Sequence, residues 1–258
     1  MRRPGLRALL LLALTAPAGA GEVPLEERRS GFAFMGPDSQ AMQREDTANP
    51  GMLWVGEGEA LWSRKEGAAG QACADCHGAA DRSMRGVAAR YPAFDAELGR
   101  PLDLTQRIKR CREVRQSAAP LPYEDEELLV LTAFVAHQSR GLPLEPDADP
   151  RMEPFRERGR QLFQQRQGQL DLACSQCHDD NWGRRLAGTP IPQGHPTGYP
   201  LYRLEWQGLG SLQRRFRNCQ AATRTEPYAY GSAEYVDIEA YLMWRARGMP
   251  METPAVRP

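Results

Sequence analysis

The sequence predicts an all-α protein made of two repeated units with long loops, and three observations support this fold class. The pattern Cys-x-x-Cys-His occurs twice, at residues 73–77 and 174–178. Each copy follows a similar apolar segment and precedes a second helical segment, so the motifs belong to an internal repeat. Alternating patterns typical of strands are almost absent. At 258 residues, the chain is long enough for two modest domains.

The first 20 residues have the pattern of a secretory signal peptide. Arg2, Arg3 and Arg7 form a positive start, an apolar run follows, and Ala18-Gly19-Ala20 is a typical cleavage site. The apolar run is too short to span a bilayer, and no other segment is a candidate span. We therefore expect an exported, periplasmic protein without a membrane span.

The charges of the chain argue against nucleic-acid binding. The full sequence balances 33 basic and 33 acidic residues. Removal of residues 1–20 would leave 30 basic and 33 acidic residues. A nucleic-acid-binding protein needs a basic excess or a clear basic stripe, and neither is present.

The remaining chain divides into an arm and two units. Residues 21–52 are polar and without a sustained period, which predicts an extended N-terminal arm with little regular structure. The repeat places the first unit at 53–148 and the second at 152–258, with a Pro/Asp-rich connection between them. Each unit is predicted to contain a helix, the Cys-x-x-Cys-His motif, a long loop, a short helix with a lone cysteine, and a final helix.

Matching spacings define the repeat. In both units a glycine lies 15 residues before the first motif cysteine and an aromatic residue lies 11 before it: Gly58 with Trp62, and Gly159 with Phe163. Both final helices end in similar stops, Arg140-Gly-Leu-Pro-Leu-Glu145 and Arg247-Gly-Met-Pro-Met-Glu252. The glycine is expected to cap the helix, and the proline prevents its continuation.

The two Cys-x-x-Cys-His motifs predict two covalently bound haem c groups. In this motif both thiols form thioethers with the haem, and the histidine binds the iron. The attachment residues are thus Cys73 and Cys76 with His77, and Cys174 and Cys177 with His178. A zinc site is the alternative, but it needs four ligands per metal ion, and export favours haem.

The second iron ligand is predicted to be a cysteine in each unit. Met84 lies only seven residues after His77, and the second unit has no methionine between His178 and Met243. His137 and His195 do not occupy equivalent positions in the repeat. What recurs is Cys111, 34 residues after His77, and Cys219, 41 residues after His178. A thiolate ligand would lower the reduction potential relative to methionine.

A disulfide between the two lone cysteines is the competing interpretation. Exported proteins commonly pair their cysteines. A Cys111–Cys219 bond would require the two iron-binding regions to meet, and it would leave both irons without an evident second ligand.

The arrangement resembles the class I cytochrome c fold. In that family an N-terminal helix with Gly-x-x-x-aromatic crosses a C-terminal helix that carries another aromatic residue. Phe134 and Tyr241 occupy the second position here, opposite Gly58/Trp62 and Gly159/Phe163. Glycine lets the two backbones approach, and the aromatic rings fill the crossing.

Over its whole mature length the chain also resembles the SoxA family, the dihaem subunits of the SoxAX cytochromes of bacterial sulfur oxidation. The resemblance includes Asn49-Pro-Gly-Met-Leu-Trp54 and Arg214-Arg-Phe-Arg-Asn-Cys219. It implies an L-cysteine S-thiosulfotransferase, which joins thiosulfate oxidatively to a cysteine of the carrier SoxYZ. It also implies a monohaem partner subunit, SoxX, and a cytochrome c that accepts two electrons.

The same resemblance implies roles for two residues of the second unit. Cys219 corresponds to the family's reacting cysteine, which is found as a persulfide, and Arg215 corresponds to a family arginine four residues before that cysteine. This arginine could hold the anionic sulfonate or, alternatively, pair with a haem propionate. Residues i and i+4 share a helix face, so a guanidinium beside Cys219 would pair with a sulfonate. Arg214 and Arg217 add positive charge nearby. Because Arg107 is also four residues before Cys111, the spacing does not distinguish the units, and only the resemblance does.

Three functions follow from these features. The first is haem-dependent conjugation of thiosulfate at Cys219. The second is a non-catalytic dihaem electron carrier with His/Cys-ligated irons. The third is a dihaem peroxidase-like enzyme, which needs a displaceable ligand and is disfavoured by two strong cysteine ligands.

Overall fold

The computed structural model describes residues 23–258, so the predicted signal peptide lies outside the described residues. Helices dominate this part of the chain, which confirms the predicted class. The α-helices are α1 (Pro37–Arg44), α2 (Gly51–Ser63), α3 (Cys73–His77), α4 (Ala80–Ser83), α5 (Leu104–Arg115), α6 (Glu126–His137), α7 (Glu153–Gln164), α8 (Cys174–His178), α9 (Leu212–Ala222) and α10 (Ala233–Arg245). None of them is long and apolar enough to cross a membrane.

Seven short strands, which the sequence did not indicate, form three small sheets within residues 23–258. Strands of two or three residues are too short to produce a readable alternation of apolar and polar side chains. The strands are β1 (Ala93–Asp95), β2 (Arg100–Leu102), β3 (Arg185–Leu186), β4 (Thr189–Pro190), β5 (Leu201–Arg203), β6 (Gly208–Gly210) and β7 (Val256–Arg257).

Each unit is built on a close crossing of its first and last long helices, as predicted. A Cβ on Gly58 would lie 2.6 Å from the Val130 carbonyl oxygen, and one on Gly159 would lie 1.9 Å from the Asp237 carbonyl oxygen. Only glycine therefore permits these backbone contacts. The ring centroids of Trp62 and Phe134 are 5.9 Å apart, and those of Phe163 and Tyr241 are 5.5 Å apart.

The helices that carry the lone cysteines begin at side-chain caps. The Asp103 carboxylate accepts a hydrogen bond from the Gln106 amide (2.7 Å) at the start of α5. Ser211 accepts one from the Arg214 amide (3.1 Å) at the start of α9. Such caps satisfy amides that lack an intrahelical partner. The two helices are 12 and 11 residues long, longer than the short helices that the sequence predicts.

A hairpin of the same register precedes each cysteine helix. β1 pairs antiparallel with β2, Asp95 lying opposite Arg100. β5 pairs antiparallel with β6, Arg203 lying opposite Gly208. Each hairpin follows a Tyr-Pro pair with a cis peptide bond, at 91–92 and 199–200. The hairpin and the cysteine helix thus form one repeated block.

The two repeat stops pair with each other across an approximate two-fold axis. The equivalent residues Pro143 and Pro250 form an antiparallel bridge. The Gly141 amide donates to the Met251 carbonyl oxygen at 2.9 Å, and the Gly248 amide donates to the Leu144 carbonyl oxygen at 2.9 Å. Gly141 corresponds to Gly248 in the repeat, and Leu144 corresponds to Met251, so each of these hydrogen bonds is the repeat equivalent of the other. The units are therefore related by an approximate two-fold rotation.

The stop glycines do not cap their helices directly, contrary to the expectation from the sequence. α6 ends at His137 and α10 ends at Arg245, with Gln138 and Ala246 as the C-caps. Gly141 (φ +79°) and Gly248 (φ +82°) instead turn the chain a few residues later. The pairing of the two stops accounts for this difference, because it requires an extra turn between each helix and the paired segment.

The larger hydrophobic core is shared by both units. It joins Val55, Trp62 and Phe134 of the first unit to Met243, Met249 and Met251 of the second. A smaller cluster around Phe163 and Tyr235 lies within the second unit. Because apolar burial supplies most of the stability, the two units hold each other in place.

The N-terminal arm has more regular structure than predicted. It contains two short 3₁₀ turns and the eight-residue helix α1, and α2 begins within it at Gly51. α1 begins at Pro37, whose fixed φ suits the first helical position. Gln43 accepts a hydrogen bond from the Val256 amide (3.1 Å), and Ser30 donates to Glu252 (2.6 Å). The helix is too short to show a period, and contacts with the C-terminal segment support it.

Candidate functional site

The two Cys-x-x-Cys-His motifs form matching five-residue helices, α3 and α8. In α3 the Asp75 carboxylate accepts a hydrogen bond from the Ala72 amide at 2.8 Å. In α8 the Gln176 side chain accepts one from the Ala173 amide at 2.8 Å. The second x residue of each Cys-x-x-Cys-His motif thus caps the start of its helix. Both cysteines and the histidine lie on this one short helix.

The histidine of the second motif is oriented by a backbone carbonyl. His178 Nδ1 lies 2.7 Å from the Pro192 carbonyl oxygen. A proton on Nδ1 would be donated to this oxygen, which leaves Nε2 as the metal-binding nitrogen. Gly194 (φ +77°) follows in the same loop, where a Cβ would lie 3.1 Å from the His178 ring. Burial lowers the pKa of His178 to about 4, so the ring is neutral.

Each lone cysteine faces the motif of its own unit. Burial and then the nearby Cys219 raise the pKa of Cys174 to about 12. Burial and then the charge of Cys219 also raise the pKa of Cys177. In the first unit, burial raises the pKa of Cys73 most, and Cys111 adds to the increase. All six cysteines are free, so the alternative Cys111–Cys219 disulfide is not formed.

The other candidate ligands have different surroundings. Met243, Met249 and Met251 are buried in the shared core. His137 Nδ1 lies 3.3 Å from the Thr253 carbonyl oxygen. These contacts give the four side chains structural roles.

The surroundings of the motifs fit a haem, because buried polar atoms near them lack partners among the described residues. His195 is 8% exposed, and neither ring nitrogen has a hydrogen bond. His195 directly follows Gly194, in the loop that contacts His178. Arg245 Nη1 is likewise buried without a partner. In the first unit Arg112 Nε is in the same state. Unpaired buried donors are costly, and haem propionates are acceptors of the kind that would pair with them.

The arginines four residues before the lone cysteines differ in their partners. Arg107 Nη2 lies 2.9 Å from the Asp95 carboxylate. Arg215 forms no ion pair with any residue in 23–258. Burial opposes its charge, but attraction to Cys219 and Tyr199 outweighs burial and raises its pKa. The second unit therefore has a guanidinium beside its cysteine without a carboxylate on it.

Arg214 and Arg217 have structural contacts that the sequence could not indicate. The Arg214 guanidinium lies 4.3 Å from the Trp206 ring centroid and 3.8 Å from the Glu124 carboxylate. Arg217 donates a hydrogen bond to the Tyr228 carbonyl oxygen. Their charges still contribute to the local potential, but neither is placed as Arg215 is.

Three contributors to these sites were missed by the sequence analysis. They are the Pro192 carbonyl, the tyrosines at the equivalent repeat positions 91 and 199, and the residues at the equivalent positions 95 and 203, Asp95 and Arg203. One signal was present, since each Tyr-Pro lies 20 residues before its lone cysteine. The Pro192 contact has no side-chain signal, because a backbone oxygen makes it.

The fold and the sites together define a dihaem cytochrome c, with one haem motif and one facing cysteine in each of two related all-α units. The family model described as SoxA/TsdA, cytochrome c domain, matches residues 57–144 and 158–251. The chain belongs to this family, and two covalently bound haem c groups are its cofactors.

Relatives of known name extend over nearly the whole chain. The chain is 38% identical to the L-cysteine S-thiosulfotransferase subunit SoxA of Pseudaminobacter salicylatoxidans, covering 91% of this chain and 82% of that protein. It is 38% identical to the subunit of the same name from Rhodovulum sulfidophilum, covering 90% and 81%. The crystal structure of SoxXA from P. pantotrophus matches with a TM-score of 0.86 at 29% identity, covering 90% of this chain and 87% of that one.

Proposed function

We propose that the protein is the catalytic dihaem subunit of a periplasmic L-cysteine S-thiosulfotransferase. Its substrates are thiosulfate and a cysteine of a SoxYZ carrier protein, and its partner is a SoxX-type monohaem subunit. Family membership and the names of relatives that cover nine-tenths of the chain support the activity. The likeness to a chain of a SoxXA complex supports the partner.

The pairing of Arg215 with Cys219 is the observation that carries the proposal for this chain. Helix α9 places the two residues one turn apart. The Arg215 guanidinium forms no ion pair within residues 23–258, and its charge interacts first with Cys219 and less with Glu205. A half-buried cation in this state is a binding group for the sulfonate of thiosulfate.

The reaction balances as an oxidation by two electrons. A bond forms between the carrier cysteine Sγ and the sulfane sulfur of thiosulfate. The S–H bond of the carrier breaks, its proton passes to water, and two electrons leave for a cytochrome c acceptor. The product is a Cys-S-S-SO₃⁻ group on the carrier.

The proposed haem-binding residues divide into attachment and axial positions. Cys73, Cys76, Cys174 and Cys177 would form the thioethers, and His77, Cys111, His178 and Cys219 would bind the irons. When bound, haem c supplies one-electron oxidation and reduction. The Pro192 carbonyl keeps the proton of His178 on Nδ1, so Nε2 stays available.

Three residues of the chain organise the substrate. Arg215 holds the sulfonate and directs the sulfane sulfur towards Cys219. Whole thiosulfate adds through its sulfane sulfur to the Cys219 sulfur, or to the outer sulfur of its persulfide, as two electrons leave. The carrier thiolate then takes the S-SO₃⁻ group by exchange, and the Cys219 sulfur is the leaving group. Burial raises the pKa of Tyr199, whose neighbours include Arg215 and Cys219, so its hydroxyl remains protonated and able to donate a hydrogen bond.

The test is a reconstituted assay with the SoxX-type partner, the carrier, thiosulfate and oxidised cytochrome c. Cys219→Ala should lose most thiosulfate-dependent cytochrome reduction and carrier labelling, while Cys111→Ala should keep labelling at Cys219. Haem absorbance and intact mass control for haem loading. If Cys219→Ala labels the carrier at the wild-type rate, the catalytic proposal is wrong and electron transfer without chemistry becomes the better interpretation.

A further inference from the structure

We infer that one position, Asp95 in the first unit and Arg203 in the second, determines which lone cysteine has a guanidinium available to a sulfur oxyanion. The inference rests on the proposed function and deepens it, since it names a specificity-determining position for that site. It also supplies a physical distinction between Cys111 and Cys219, for which the spacing of the repeat gives none.

The two positions are structurally equivalent. Asp95 is the last residue of β1, and Arg203 is the last residue of β5. The two hairpins have the same register. Arg107 and Arg215 are each the fourth residue of the following helix. A carboxylate at the first position reaches the arginine in the first unit, so a carboxylate at 203 would face Arg215.

In the first unit Asp95 occupies the arginine. Its side chain is 4% exposed, and its carboxylate lies 2.9 Å from Arg107 Nη2 and 4.0 Å from Arg110 Nε. Burial opposes its charge, but hydrogen bonds from the Leu98 and Glu97 amides and the charge of Arg107 lower its pKa. Asp95 is thus a fixed anion, and a dianion at Arg107 would have to displace it or lie beside it.

In the second unit the same position is cationic. Arg203 Nε lies 2.9 Å from the Glu205 carboxylate, which is 64% exposed. The Arg203 side chain is only 13% exposed, whereas Glu205 lies at the surface. Water and salt therefore screen the Glu205 end of the pair more strongly. Arg203 itself places no carboxylate against Arg215, and Glu205 attracts Arg215 without forming an ion pair with it. The charge of Arg203 adds to the attraction for an anion.

The first unit has space beside its lone cysteine. A cavity of about 200 Å³ lies beside Cys111, lined by Asp95, Glu97, Arg107, Arg110 and other residues. Arg110 forms a second ion pair there, with Glu97. Arg115 also lines the cavity but is exposed, so its charge is screened. The first unit thus has room for a small oxyanion, while carboxylates hold two of its three arginines.

The test exchanges the charges at this position and counts bound thiosulfate. Asp95→Asn removes the ion pair but keeps the side-chain oxygen that accepts from the Glu97 and Leu98 amides, both at 3.0 Å. Arg203→Asp places a carboxylate against Arg215. Arg203→Gln is its matched control, since it removes the cation without adding an anion.

The measurement is equilibrium dialysis of ³⁵S-thiosulfate with the haem-loaded ferric protein, without carrier. The wild type should bind one equivalent. Asp95→Asn should bind a second, which disappears again when Arg107→Gln is added. Arg203→Asp should weaken the wild-type site at least tenfold, and Arg203→Gln should weaken it less than threefold.

Two results would overturn the inference. One is a single equivalent bound by Asp95→Asn, and the other is equal affinity in Arg203→Asp and Arg203→Gln. Failure of the proposed function gives a different result, because Arg215→Gln would then bind thiosulfate as tightly as the wild type. Haem absorbance of each variant controls for folding, and the two units supply independent tests.

Discussion

Replacing Arg215 by glutamine removes the group proposed to hold thiosulfate while keeping a polar side chain of similar reach. Arg215 is half-buried and has no carboxylate partner among residues 23–258. The substitution therefore breaks no ion pair of the folded protein. We expect its effect to fall on substrate binding and not on stability.

The expected magnitude follows from the charge-assisted hydrogen bonds that are lost. A hydrogen bond to a charged group contributes about 1.5–3 kcal/mol. Because about 1.4 kcal/mol is a factor of ten, kcat/KM for thiosulfate should fall about 10- to 150-fold. Arg215→Lys should lose less, since an ammonium keeps the charge but not the paired geometry.

Arg107→Gln is the matched control, because Arg107 occupies the equivalent helix position but is already paired with Asp95. Thiosulfate-dependent reduction of cytochrome c, with the carrier saturating, gives kcat and KM for each variant. We expect Arg107→Gln to keep kcat/KM within about twofold of the wild type, because Arg107 lies in the other unit and distant sites act independently. A loss below threefold in Arg215→Gln, or equal losses in the two variants, would refute the reasoning.

Two further predictions concern the helix crossings. Gly58→Ala should lower the free energy of unfolding by about 1–3 kcal/mol, because its Cβ would meet the Val130 carbonyl oxygen at 2.6 Å. The control is Gly56→Ala in the same helix, where a Cβ would meet nothing within 4 Å. It should raise the free energy of unfolding by about 0.5–1 kcal/mol. Urea unfolding followed by absorbance and circular dichroism compares them, and equal effects would contradict the crossing. Burial raises the pKa of Asp237 to about 6, although Arg158 opposes this. The folded state therefore binds the proton more tightly than the unfolded state, and stability falls as pH rises from about 4 to 6. Asp237→Asn should remove this fall in stability. An unchanged pH dependence of unfolding in Asp237→Asn would contradict the role of Asp237 in it.

The sequence predicts the parts of the fold that depend on local pattern. The Cys-x-x-Cys-His helices, the Gly58 and Gly159 crossings and the cysteine helices each have a spacing that repeats. A repeat also predicts that two units exist. It does not predict how they meet, and the pairing of Pro143 with Pro250 joins residues of two distant stops.

The sequence could not predict the difference between the Cys111 and Cys219 sites, for a different reason. Asp95 and Arg107 are 12 residues apart and lie on a strand and a helix, so their contact depends on the hairpin register. The same holds for the His178 contact with the Pro192 carbonyl. Helix α1 was missed because its eight residues are supported by contacts with the C-terminal segment around Val256.

The account's central claim is that Cys219, and not Cys111, reacts with sulfur. Peptide mass analysis of the haem-loaded protein after incubation with thiosulfate tests it most directly. Thiolate attack on the sulfane sulfur would release sulfite and leave one extra sulfur, about 32 Da, as a persulfide. We predict this mass on the Cys219 peptide and an unmodified Cys111 peptide. Equal modification of both, or of Cys111 alone, would contradict the claim.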